Sequence, residues 1–198
     1  MNIDKKLLKK IRNRLKEFKK IEDENLLFKE LCFCILVANT SLEKTLEIWK
    51  KIDNGFLKYN KKQLSLKLKS LGYRFYNKRV DYILYNRKLK KIIKEKIKEL
   101  SAFYLREWLV KNLKGIGFKE ASHFLRNIGF KDFAILDRHI LRFLFKNKII
   151  REIPSNLSKR KYLEIENKLK NLADKLNITL SELDFLIFYL ETGTLPKK

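Results

Sequence analysis

The chain has 198 residues, with 47 Lys and Arg against 23 Asp and Glu, which gives a formal net charge of +24 and a pI near 10. Apolar residues make up 45% of it, too many for a disordered basic tail, and the longest apolar run, from Leu31 to Ala38, is far shorter than the roughly 18 residues of a membrane helix. Two cysteines exclude a four-cysteine iron–sulfur cluster, and the two histidines, His123 and His139, lack the company that a zinc site needs. Cys32 and Cys34 lie inside the apolar run and read as small buried hydrophobes of a reducing compartment. Met1-Asn-Ile-Asp-Lys-Lys leads straight into a charged stretch without a signal-peptide core, so the expected location is the cytoplasm.

The hydrophobic period is helical along the chain. Leu7, Ile11, Leu15, Phe18 and Ile21 form one apolar stripe on a basic helix. Residues 24–38 read as a far more buried helix, and Thr40-Ser-Leu-Glu43 opens a third that runs to about Ile52. Further helices are expected over 60–71, 77–100, 101–113, 118–128, 137–147, 158–177 and 179–192, the last opened by Thr179 with Glu182. All six glycines fall between these segments or at their ends, and Pro154 and Pro196 sit in connections. The expected fold is all-α, with about ten helices and no repeat or low-complexity linker.

Basic residues come in runs. Residues 1–20 carry nine against two acids, and Arg87 to Lys98 carry seven against one. Taken singly, such runs are solvated helix faces, and AT-rich coding also inflates lysine; taken with a folded core, they point to a polyanion, above all nucleic acid.

The informative segment is Leu113-Lys-Gly-Ile-Gly-Phe-Lys-Glu-Ala-Ser-His-Phe-Leu125. Two helices flank a Gly-Ile-Gly turn, and Gly115 and Gly117 permit a hairpin tight enough for its backbone amides to face outward. The N-terminus of the following helix adds free amides and partial positive charge. Lys114, Gly115 and Gly117 are therefore candidates for holding a DNA backbone phosphate, independent of base sequence. Such an element resembles a helix-hairpin-helix motif.

Downstream, Ala134-Ile-Leu-Asp-Arg-His-Ile-Leu141 places Asp137 eighteen residues after Lys119. This combination resembles the helix-hairpin-helix DNA glycosylase superfamily, in which a lysine after the hairpin marks the bifunctional glycosylase/lyases. The connecting loop, Asn127 to Ala134, has one glycine and no proline, a departure from the superfamily's Gly/Pro-rich loop. The likeness is greatest to the archaeal 8-oxoguanine DNA glycosylases of the second type. It rests on Ile35-Leu-Val-Ala-Asn-Thr-Ser41, the hairpin with Lys119, Leu136-Asp-Arg-His139, Tyr189-Leu-Glu-Thr-Gly193 and the terminal Lys198.

The resemblance implies a base-excision repair enzyme that removes 8-oxoguanine from double-stranded DNA and nicks the strand, with Lys119 and Asp137 catalytic. It implies that Asn39 enters the duplex beside the estranged cytosine and that Phe75 and Phe188 flank the extruded base. Lys198 would help to distinguish 8-oxoguanine from guanine. The residues themselves leave other readings open. Asn39 can end its helix, Asp137 can cap the helix that follows it, and Phe75 and Phe188 read from sequence as core. A tryptophan is more usual where Phe188 stands.

The chemistry has physical requirements that these residue types meet. The nucleotide has to leave the stack before its C1′ is accessible, and aromatic side chains replace about 1–3 kcal/mol of stacking per base. A lysine attacks only as the neutral amine, which a helix N-terminus among other cations favours. No cofactor is implied, since the amine serves as both nucleophile and electron sink, and no metal is implied.

The superfamily fold implies two lobes with a cleft between them: residues 22–131, ending in the hairpin, and residues 1–21 with 132–198, carrying Asp137. The expected partner is duplex DNA holding a damaged base, bound by a monomer at the nucleoid. Two rivals remain: the same lyase on an oxidised pyrimidine, and a non-catalytic helix-hairpin-helix DNA-binding module.

Overall fold

The computed structural model describes residues 4–196, and all regular structure among them is helical. In chain order the helices are α1 (Lys5–Leu15), α2 (Glu24–Val37), α3 (Leu42–Ile52), α4 (Gly55–Lys58), α5 (Lys61–Ser70), α6 (Tyr76–Arg87), α7 (Lys90–Glu99), α8 (Ala102–Asn112), α9 (Phe118–Asn127), α10 (Arg138–Lys146), α11 (Lys159–Lys175) and α12 (Leu180–Thr192). None is long and apolar enough to cross a membrane.

Two compact units emerge, Ile21–Phe124 and Met1–Lys20 with Leu125–Lys198. The division falls inside α9, a few residues before the 131/132 boundary expected from the sequence. Each unit is organised on one apolar helix. In the first, α2 packs against α3, α4, α6 and α7, and it buries Leu27, Phe28 and the whole run Leu31–Leu36. A helix apolar on every face has to be surrounded, and this one is. Cys32 and Cys34 are free thiols in that core, and burial pushes the Cys32 thiol well above its ordinary range.

In the second unit the central helix is α12, in contact with α1, α10 and α11. Its N-terminus is a capping box: the Thr179 hydroxyl accepts from the Glu182 N–H at 3.1 Å, and Glu182 Oε2 accepts from the Thr179 N–H at 2.7 Å. Glu182 Oε1 also accepts from Arg12 Nε at 2.6 Å, which ties α1 to α12. Burial raises the Glu182 carboxyl, but these hydrogen bonds outweigh it and hold the group below its ordinary range.

Two expected helices end early. The stripe begun at Leu7 leaves the helix after Leu15, where Glu17 and Phe18 bond back three residues instead of four. Phe18 still reaches the core, edge-on to Phe185 at 5.9 Å. The helix expected over 77–100 is broken at Lys88 and Leu89, again through three-residue backbone bonds, and the short α4 adds a turn that no periodicity signals. Twelve helices therefore stand among the described residues where about ten were expected.

A buried ion pair sits beside this core. Arg126, 5% exposed, donates from Nη1 to Asp184 Oδ2 at 2.8 Å and from Nε and Nη2 to Asn127 Oδ1 at 3.2 and 3.0 Å. Its guanidinium lies 5.3 and 5.1 Å from the ring centres of Phe18 and Phe185. Burial pushes the Asp184 carboxyl up to about 6, against the pull of Arg126, and the charge of Asp137 adds to the rise. Its folded value lies above the unfolded one of 3.8, so its contribution favours folding most below that pH and is lost as pH rises through about 6. Arg126→Met leaves a buried carboxylate alone and is expected to cost about 3–5 kcal/mol in urea unfolding at neutral pH.

Candidate active site

The hairpin joins α8 to α9. Leu113 and Ile116 are buried and anchor it, while Gly117 between Ile116 and α9 is exposed. Gly115 has φ +74°, and a Cβ there would run into the Tyr82 ring, so two independent constraints demand glycine. The turn is also clamped from α6. Asn86, fully buried, donates from Nδ2 to the Lys114 carbonyl at 2.9 Å and accepts the Lys114 N–H at 2.9 Å on Oδ1. A single amide side chain thus satisfies both backbone groups of one hairpin residue, as a neighbouring strand would.

Lys119 is the second residue of α9, and its side chain is 31% exposed. Its Nζ lies 3.1 Å from Glu120 Oε1, while Glu120 Oε2 accepts the Gly117 N–H at 3.2 Å. Beneath the same turn lies the buried Arg106 of α8. It places its guanidinium 5.3 Å from the Phe118 ring centre and donates from Nη1 to Ser122 Oγ at 3.3 Å. Outside, Lys114 Nζ lies 4.3 Å from the ring centre of Tyr85. The hairpin is thus rigid backbone in a cationic setting, which suits an anion.

Two other candidates belong to the same unit. Asn39, in the α2–α3 loop, is exposed and has φ +63°, a left-handed conformation that asparagine tolerates. The loop is held from behind: Tyr73 Oη donates to the Leu36 carbonyl at 2.8 Å and Arg79 Nη2 to the Ala38 carbonyl at 3.3 Å. Phe75, 39% exposed at the entry to α6, meets the Tyr73 ring edge-on at 6.3 Å, with the Arg74 guanidinium 5.4 Å from its ring centre. Its exposure departs from the core reading of the sequence. Arg79, Tyr82 and Asn86 follow one face of α6, so one helix braces the Asn39 loop, the wall behind Gly115 and the hairpin itself.

Asp137 belongs to the second unit. It follows a buried stretch outside the helices, Phe133–Leu136, fastened by Tyr162 Oη to the Ala134 carbonyl at 2.6 Å and by the Ala134 N–H to Glu166 Oε1 at 3.0 Å. Asp137 is the N-cap of α10: Oδ1 accepts the N–H groups of His139 and Ile140 at 2.8 and 2.9 Å. Both cap bonds use Oδ1, and Oδ2 carries none of them. The His139 ring packs on half-buried Phe188 of α12 at 5.4 Å. Lys198 lies outside the described residues. Among the described residues no cluster of His, Cys, Asp or Glu is arranged to hold a metal ion.

Residues 11–178 match the family profile Ogg-HhH, 8-oxoguanine DNA glycosylase. The chain belongs to this family. The 8-oxoguanine DNA glycosylase/AP lyase of Methanocaldococcus jannaschii is 51% identical over 190 residues, 94% of this chain and 91% of that one. The enzyme of the same name from Thermotoga maritima is 41% identical over 190 residues, with the same shares covered. The crystal structure of the M. jannaschii glycosylase/lyase with a 15mer DNA containing 8-oxoguanine superimposes with a TM-score of 0.92 at 50% identity, over 96% of this chain and 92% of that one.

Several residues that brace the hairpin and the Asn39 loop had escaped the sequence reading. Asn86 carried a signal: it falls in the buried phase of α6 with Val80 and Ile83, and an amide in an apolar stripe needs a partner. Glu120 carried another, since Gly117-x-x-Glu120 is half a capping box. Arg79, Tyr73 and Arg106 had none, because their partners lie far away in sequence. Asn86→Leu strips the hairpin of both clamp bonds and is expected to cost about 1–3 kcal/mol of stability. Its affinity for an undamaged duplex should fall with it, as titration of a labelled duplex would show.

Proposed function

We propose that this protein is a bifunctional DNA glycosylase/AP lyase that removes 8-oxoguanine from duplex DNA by lysine attack. The observation that carries the reading is Lys119 itself: a solvent-reachable amine on the first turn of the helix that follows a clamped glycine hairpin, in a chain of the 8-oxoguanine DNA glycosylase family. In the reaction, the Lys119 nitrogen bonds to C1′ and the glycosidic bond breaks, the base leaving with the electron pair and taking up a proton. The nitrogen then gives up one proton and O4′ takes one up as the C1′–O4′ bond opens, which leaves a protonated imine. That imine acidifies C2′; loss of its proton and rupture of the C3′–O3′ bond nick the strand 3′ to the lesion.

Asp137 stabilises positive charge as the glycosidic bond breaks, or accepts a proton on the oxygen that does not cap α10. Gly115, Gly117 and Lys114 hold a phosphate, Asn39 faces the opposite cytosine, and Phe75 and Phe188 flank the extruded base. Lys198 contributes to the choice of 8-oxoguanine over guanine. The protein acts as a monomer on chromosomal DNA, hence at the nucleoid of a prokaryotic cell.

A panel of duplexes tests this. An 8-oxoguanine:cytosine duplex should be nicked in preference to one carrying an oxidised pyrimidine, and binding should weaken steeply with salt. Preference for the pyrimidine would move the lyase to another lesion. Salt-sensitive binding without nicking of any duplex would leave a DNA-binding module.

A further inference from the structure

Glu120 presents a geometry that helix capping does not explain. Residues adjacent on a helix project about 100° apart and do not normally meet. Here the Glu120 carboxylate, 14% exposed, folds back over the first turn of α9 and uses its two oxygens on different targets. Oε2 takes the Gly117 N–H at 3.2 Å, and Oε1 pairs with the Lys119 amine at 3.1 Å. A capping glutamate needs only the first of these bonds. The second places a negative charge on the one amine whose reaction requires it to be uncharged.

Resting on the reading of the hairpin amides as phosphate donors, the two bonds become linked. The Gly117 N–H now held by a carboxylate is one of the outward amides available to a DNA phosphate, and the carboxylate stands where that anion would approach. Two anions do not share one donor, and their mutual repulsion sets the sign of the coupling. A phosphate that arrives at the hairpin dislodges Oε2, and with it the side-chain position that keeps Oε1 on Lys119.

We infer that Glu120 is a positioning residue that latches Lys119 as an ion pair in the free enzyme and releases it when DNA phosphate takes the hairpin. The latch keeps a nucleophilic amine unreactive until the backbone of a duplex is engaged. It also makes Glu120 a competitor of DNA, at a cost in affinity.

Glu120→Gln tests the latch, because a glutamine carbonyl still caps Gly117 but offers Lys119 no charge. Lys119 is followed by reductive methylation with formaldehyde and cyanoborohydride in the free protein, read by peptide mass spectrometry against exposed Lys88. The substitution should raise Lys119 labelling about tenfold, as expected for loss of a charge-assisted bond, with Lys88 unchanged. Affinity for an undamaged duplex should tighten severalfold more than in Glu99→Gln, which removes an exposed carboxylate from the same unit. Unchanged Lys119 labelling overturns the latch, and so does an affinity gain no larger than that of the Glu99 control. Should Glu120→Gln fail to fold, Glu120→Asp serves in its place for the labelling, since its carboxylate keeps the charge but is one carbon too short to span both partners. The labelling needs no DNA, so it fails independently of the glycosylase reading, whose failure is a wild-type protein that nicks no duplex.

Discussion

Lys119→Gln is expected to retain duplex binding and lose base release, strand nicking and borohydride trapping by at least about 1,000-fold, the loss that follows removal of a covalent nucleophile. The structure allows the change without a folding penalty. Lys119 is partly exposed, pairs with Glu120, and belongs neither to the hairpin clamp between Asn86 and Lys114 nor to the contacts of buried Arg106. Single-turnover excision with the variant in excess over an 8-oxoguanine duplex measures the effect. Binding that falls together with chemistry would mean that the residue contributes only charge to the DNA interface.

Asp137→Asn should produce the second largest loss, about 100- to 10,000-fold in single-turnover excision, the range of a removed acid–base or charge-stabilising group. Asparagine caps helices about as well as aspartate, so the bonds from His139 and Ile140 to Oδ1 can persist and the melting temperature should hold. Asp137→Ala should lose the same activity and also about 1 kcal/mol of stability with the cap. This contrast separates the observed cap from the proposed catalytic role of the same carboxylate. An Asp137→Asn protein that melts normally and excises at the wild-type rate would leave only the cap.

The hairpin was legible because two glycines interrupt an otherwise helical apolar pattern, and only a tight turn reconciles them. Asp137 was legible because a polar residue preceding Arg-His-Ile-Leu is where a helix begins. Both are local signals, read within a few residues. The clamp on the hairpin is not local, since Asn86 lies 28 residues from Lys114 and the sequence between them has no trace of the pairing. The break between α6 and α7 is hidden for a related reason. No glycine or proline marks it, and the two side chains before it are committed elsewhere, Asn86 to the hairpin and Arg87 to the Tyr59 carbonyl. Phe75 shows the reverse case: its hydrophobicity suggested core, whereas its place at the entry to α6 leaves it partly exposed. Hydrophobicity reports what a side chain prefers, and element boundaries decide what it receives.

The most direct measurement is the site of the covalent adduct. Wild-type protein is reduced with borohydride during turnover of an 8-oxoguanine:cytosine duplex, digested, and the sugar-bearing peptide sequenced by mass spectrometry. The account predicts a reduced deoxyribose on Lys119 and on no other amine. An adduct on the N-terminal amine or on Lys114, with Lys119 unmodified, would contradict it.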